Sequence, residues 1–170
     1  MKTSHLFPAL PDHARVWVYQ ANRKFTEKDV EQIMLRGSHF IREWDTHGAP
    51  VAGEIAVVFD CFVVIAADEQ QQMVSGCAID RSVSLVKEIE HFTQTNLFDR
   101  FSVALVKSED EILPLSMEEF TSGMENGTYN ADSLVFNNTL TTLQQLRNEW
   151  IVKIKDSWHS RFAPSSKIVF

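Results

Sequence analysis

"VAGEIAVVFDCFVVIAAD", Val51 to Asp68, is the stretch on which the fold turns. Both halves are strand-like, and a tight turn is expected around Asp60-Cys61. The second half is almost continuously apolar, the pattern of a strand buried on both faces at the centre of a sheet.

Upstream, "RVWVY", Arg15 to Tyr19, is a short β-branched and aromatic run and reads as another buried strand. Between the two, Thr26 and Asp29 fit a helix-capping pattern. Val30, Ile33, Met34, Phe40, Ile41 and Trp44 then recur at roughly helical spacing. The spacing predicts a helix from Thr26 to about Thr46, with Gly37 as a weak spot, Gly48 as its C-cap and Pro50 beyond. Downstream, Glu69 to Gly76 is a polar loop. A helix is expected over Ala78 to Thr93, carrying Ile79, Val83, Val86, Ile89 and Phe92, followed by a strand in "RFSVALVK".

The order strand, helix, strand, strand, helix, strand is the βαββαβ pattern of a ferredoxin-like α+β fold. The expectation is an antiparallel sheet with two central parallel strands and both helices on one face. The chain reads as a single domain, 1–170, with a core over about 15–107 and an extension, 108–170, packed on it. Residues 1–14, with Pro8 and Pro11, read as an irregular arm. In the extension, a short helix is expected from Ser116, a short strand in "DSLVFNN", and helical spacing at Leu140, Leu143, Leu146 and Trp150. The end, from "DSWHSRF" on, is expected to wrap over the core.

Hydrophobic residues make up 44% of the 170, and twelve Phe and four Trp supply ample core material. The formal net charge of -7 argues against nucleic acid or anionic lipid as a partner. The longest apolar stretch, near "CFVVIAA", is far short of a membrane span. No signal-type apolar region opens the chain, so a cytoplasmic protein with Cys61 and Cys77 reduced is expected.

Parallel central strands would send both strand-to-helix loops off one edge of the sheet. Tyr19, Gln20, Asn22 and Arg23 would then face Asp68, Glu69, Gln71, Ser75 and Cys77. Two helix N-termini would converge there and favour a small anionic ligand. Gly76 would admit close backbone approach, and Arg23 would add a bidentate contact. Asp68 and Glu69 follow a central strand end, and Asp68 is a candidate functional carboxylate, although loop solvation or pairing with Arg23 is the commoner role.

Cys77 is expected in the first turn of the second helix, where a thiol pKa is lowered. That makes it a candidate nucleophile. Free Cys is usually buried and inert, and Asp80 disfavours a thiolate while capping the first turn. A nucleophilic Cys needs a nearby His, and His159 in "DSWHSRF" is the candidate, with Arg161 beside it. The competing reading is that Trp158 and Phe162 anchor the tail while His159 and Arg161 make structural hydrogen bonds. No set of residues shows metal-ligand spacing, and the cofactor is unknown. "GAPVAGEI" has the glycine spacing of a P-loop, but Glu54-Ile55 stand where Lys and Ser/Thr are required, and the loop runs from helix to strand.

At "VWVYQANR", "DEQQQMVSGCAIDRSV" with "IEHF" and "LFDR", "LVFNN" and "DSWHSRF", the chain resembles small bacterial proteins often labelled "ABC transporter ATPase". The resemblance covers about Ala14 to Phe162. The label implies ATP hydrolysis, yet the sequence holds neither a Walker A motif nor an ABC signature such as L-S-G-G-Q. The resemblance assigns no catalytic residues. Three function classes follow, in this order: a binding module for a small anion, a protein-interaction or self-assembly module, and an enzyme using Cys77.

Overall fold

The computed structural model describes residues 2–70, 72–109 and 111–162. β1 (Arg15–Gln20) leads to α1 (Glu27–Glu43), then to a small hairpin of β2 (Asp45–Thr46) and β3 (Ala49–Pro50). Next come β4 (Ala52–Val58), β5 (Phe62–Asp68) and α2 (Gly76–Thr93). The second half holds β6 (Val103–Ser108), β7 (Glu111–Leu115), α3 (Met117–Glu125), β8 (Leu134–Phe136), α4 (Leu143–Glu149) and β9 (Ile151–Lys153). Two short 3-10 turns follow, Ile154–Asp156 and Trp158–Phe162.

β5 is the centre of a three-stranded sheet ordered β1-β5-β4, antiparallel throughout. Phe62 to Ala67 are wholly buried, as the unbroken apolar run requires. Val63, Ile65 and Ala67 face α1 and α2, meeting Ile33, Leu85, Val86 and Ile89. Phe62, Val64 and Ala66 face the other way, onto a second sheet ordered β7-β6-β8-β9. That sheet presents Ala104 and Phe136 to the first, and turns Val103, Leu105 and Val135 towards Phe120 and Met124 of α3. The result is four layers: helices, sheet, sheet, helix. Each large apolar side chain buried in these layers contributes about 1.5–3 kcal/mol.

The mixed α and β content, the antiparallel sheets and the placement of α1 and α2 on one face agree with expectation. The ferredoxin-like sheet is not completed. The strand at 103–108, assigned by sequence to the first core, pairs with β7 and β8 in the second sheet. The expected division near residue 107 therefore falls at the β6–β7 hairpin rather than at a boundary. The central neighbours β1 and β5 are antiparallel, not parallel: Gln20 stands opposite Phe62, and Arg15 opposite Ala67.

Local chemistry explains the element ends. Thr26 and Asp29 form a capping box on α1, with Asp29 N donating to Thr26 Oγ1 at 3.1 Å and Thr26 N to Asp29 Oδ2 at 2.9 Å. α1 stops at Glu43, before the expected Thr46, because Trp44 turns extended. Its indole is buried and Nε1 donates to Ala78 O at 2.9 Å. Gly48 is not a helix cap; at φ +83 it shares the β2–β3 turn with His47. Gly37 is no weak spot: a Cβ there would stand 2.8 Å from Ile55 Cδ1, so its lack of side chain lets α1 sit close on β4. The β4–β5 turn falls at Phe59-Asp60, one residue earlier than expected.

The arm before β1 has no regular element, yet it belongs to the core. Leu6, Phe7 and Leu10 are buried beneath α4. Arg147 of α4 holds them, donating to the carbonyls of Leu6, Phe7 and Leu10 and to Asp12 Oδ1. No described helix is long and apolar enough to cross a membrane.

Candidate functional site

The antiparallel β1–β5 pair sends the two strand-to-helix loops off opposite ends of the sheet. The expected convergence of Tyr19, Gln20, Asn22 and Arg23 with Asp68, Glu69, Ser75 and Cys77 therefore does not form. The helix N-termini part in the same way. Arg23, just before α1, donates to Thr93 O at the C-terminal end of α2 and pairs with Asp29 Oδ2 at 3.0 Å. Arg23 thus closes a helix end where a carbonyl wants a cation. Asn22 Oδ1 accepts from Asn96 N at 2.8 Å.

At the other end, Asp68 pairs with His13 Nε2 at 3.1 Å and accepts from Gln70 N at 2.9 Å. Glu69 accepts from Val74 N at 3.0 Å and lies 3.6 Å from Arg15. Ser75 is the N-cap of α2, its Oγ accepting from Ala78 N at 3.3 Å. The cap is thus Ser75 rather than Asp80. Gly76 opens the helix in open space, with nothing within 4 Å of a Cβ placed there. Gln71 lies outside the described residues. Asp68, Glu69 and Ser75 thus each have a structural partner.

Cys77 is exposed in the first turn of α2, while Cys61 is buried and its thiol is pushed up to about 12 by burial. His159 lines a cleft that Cys77 does not, and its Nδ1 is engaged with Ser157 Oγ rather than with the thiol. At pH 8 a thiol reagent is expected to label one cysteine of the native protein, Cys77, and to reach Cys61 only after denaturant is added. Labelling of both at equal rates contradicts the buried position of Cys61. The P-loop-like glycines have packing roles as well: a Cβ on Gly53 would stand 2.7 Å from Trp44 Cζ3.

Three expected site residues do meet, at a place the sequence did not indicate. Tyr19, Gln20 and His159 line one cleft of about 660 Å³, within the range of small-molecule sites. It lies along the outer edge of β1, where the fourth strand of a ferredoxin-like sheet would pair. That edge is covered at its start, where Val16 N donates to Thr141 O at 3.0 Å. Strand alternation turns the backbone groups of Val18 and Gln20 to the same side as those of Val16, away from β5. Phe98 forms one wall, its ring 5.6 Å from Tyr19, and Trp158 lines the cleft from the 3-10 turn at its C-terminal side. Burial raises the Tyr19 phenol pKa.

A relay runs from the core to the cleft. Trp150 Nε1 donates to Asn138 Oδ1 at 2.8 Å, and Asn138 Nδ2 donates to Gln20 Oε1 at 2.8 Å. Gln20 is 4% exposed, and its Nε2 is buried without a hydrogen-bond partner. A buried donor left unpaired costs about 1–3 kcal/mol. His159 is 1% exposed, stacked on Trp158 at 3.9 Å, with Nδ1 2.9 Å from Ser157 Oγ. Burial pushes its pKa down to about 4. Arg161 sits exposed on the same 3-10 turn and does not line the cleft.

Sequence reasoning missed Asn138. Its only signal was a polar pair, Asn137-Asn138, directly behind a buried strand. Neither a family model, nor a curated protein, nor a solved structure matches this chain.

Proposed function

We propose that the protein binds a small molecule in the cleft beside β1. The observation that carries this reading is the Gln20 amide. It is fixed from behind by Asn138 and Trp150, its residue lines the cleft, and its Nε2 is buried without a partner. Buried polar groups are paired in the great majority of native structures, and a ligand in the cleft would supply the partner that Gln20 Nε2 lacks. Aromatic walls at Tyr19, Phe98 and Trp158 supply apolar contact around it.

A thermal-shift screen of small organic fragments tests the reading. A ligand at 100 times its Kd stabilises the native state by about 2.7 kcal/mol. Hits are expected to lose their shift in Tyr19→Ala and Trp158→Ala. Hits that keep their full shift in both variants, or no hit from a broad library, contradict the reading.

A further inference from the structure

Two side chains that line the cleft have the hydrogen-bonding sense of a polar atom imposed by groups behind them. An indole N–H is a donor only. Trp150 therefore fixes Asn138 with Oδ1 towards the indole, at 2.8 Å. Asn138 must then present its NH2 to Gln20, whose Oε1 accepts at 2.8 Å. Turning either amide over would set two donors against each other. What remains at the end of the relay is Gln20 Nε2, a donor with no partner.

The second atom follows from a hydroxyl with one hydrogen. Ser157 Oγ lies 3.0 Å from Ile154 O, which it can only meet as a donor. With its single hydrogen spent there, the 2.9 Å contact with His159 Nδ1 runs the other way, with Nδ1–H donating. A neutral imidazole in that tautomer carries its lone pair on Nε2, and no described residue pairs with Nε2. Burial keeps the ring neutral at ordinary pH.

We infer that the cleft recognises an uncharged group offering an oxygen acceptor to Gln20 Nε2 and an N–H or O–H donor to His159 Nε2, as a carboxamide does. This rests on the reading of the cleft as a ligand site, and it replaces the anion expected from sequence. A carboxylate has no hydrogen for His159 and would set its charge against the lone pair. An amidinium has no lone pair for Gln20. The charges in the wall do not favour either ion: Arg100 and Asp99 are of opposite sign, and Arg15 is engaged by Glu69. Gln20 Nε2 is closed off from solvent, so seating the oxygen requires a shift of the flanking side chains.

The test is a set of near-isosteric ligands measured on the full chain at pH 7.5: benzamide, benzoate, benzamidine and acetophenone. Binding is read by protein-observed NMR titration, with perturbation of the Trp158 indole signal reporting occupancy of the cleft. Benzamide is expected to bind at least about tenfold tighter than each of the other three. Gln20→Met is expected to erase its preference over benzamidine, and His159→Phe its preference over acetophenone. If a buried-site variant fails to fold, the ranking on the unchanged protein decides by itself. Benzoate, benzamidine or acetophenone matching benzamide in the cleft overturns the inference and leaves the ligand-site reading standing. In a wider library, cleft hits carrying both groups support it and cleft hits lacking either overturn it. No compound perturbing Trp158 overturns both.

Discussion

Trp150→Ala is expected to destabilise the protein by about 3–5 kcal/mol. The indole is fully buried where the two sheets meet. Its ring lies 4.8 Å from that of Phe62 and 5.1 Å from that of Phe136. Removing it leaves a cavity between rigid aromatic rings, which collapse poorly. It also deprives Asn138 Oδ1 of its donor. Trp150→Phe shifts the balance between these effects, because it keeps one aromatic ring in the core while losing the N–H and the rest of the indole. Its expected cost is about 1–3 kcal/mol, that of one buried polar group left unpaired. Urea unfolding of both variants is the measurement. A cost below about 1 kcal/mol for Trp150→Ala would mean that the sheet-to-sheet contact is not centred there.

Stability is expected to fall as pH drops from about 6.5 towards 4, by up to about 3 kcal/mol from His159 alone. The unfolded chain protonates this ring near 6.5, whereas burial holds the folded ring neutral down to about 4. Between those values the unfolded state binds the extra proton, so acid favours unfolding. Above about 6.5 both states are neutral and the contribution is flat. The other five histidines are exposed, which makes the effect assignable. Asp29, Asp45, Glu119 and Asp132 have lowered pKa values, and their losses come at lower pH. Urea midpoints at pH 7.5, 6, 5 and 4 for the native sequence and for His159→Gln check this. Equal slopes in both proteins would contradict a neutral buried ring.

The central strand was legible because burial on both faces writes itself as an unbroken apolar run, Phe62 to Ala67. The α1 start was legible because a capping box is a local device of fixed spacing. Pairing was less so. Nothing in "RFSVALVK" says whether it joins β1 or a second sheet; that depends on β7 and β8, which supply two partners at once. "EILPL" forms a strand that was not among those expected from sequence, with Pro114 as its fourth residue. The direction of β1 against β5 followed from the wrong premise that strands feeding helices in this order run parallel. One error in strand sense moved a whole candidate site, since loop ends swap when a strand reverses.

Of the site itself, Gln20 and His159 were legible as residue types but not as neighbours. They lie 139 positions apart and are joined only through the strand edge that β6 leaves open. Asn138, which orients Gln20, became readable only once its bond to Trp150 was in view. A hydrogen-bond relay is defined by which groups lack a hydrogen, and sequence spacing carries no record of that.

The central claim is that Gln20 Nε2 is the donor a ligand comes to meet. The side-chain amide resonances of Gln20, assigned with Gln20→Met, report on it directly during titration with benzamide. The expected result is a saturable shift of those resonances with the same Kd as the Trp158 signal. Saturation of Trp158 with the Gln20 amide unmoved would contradict it.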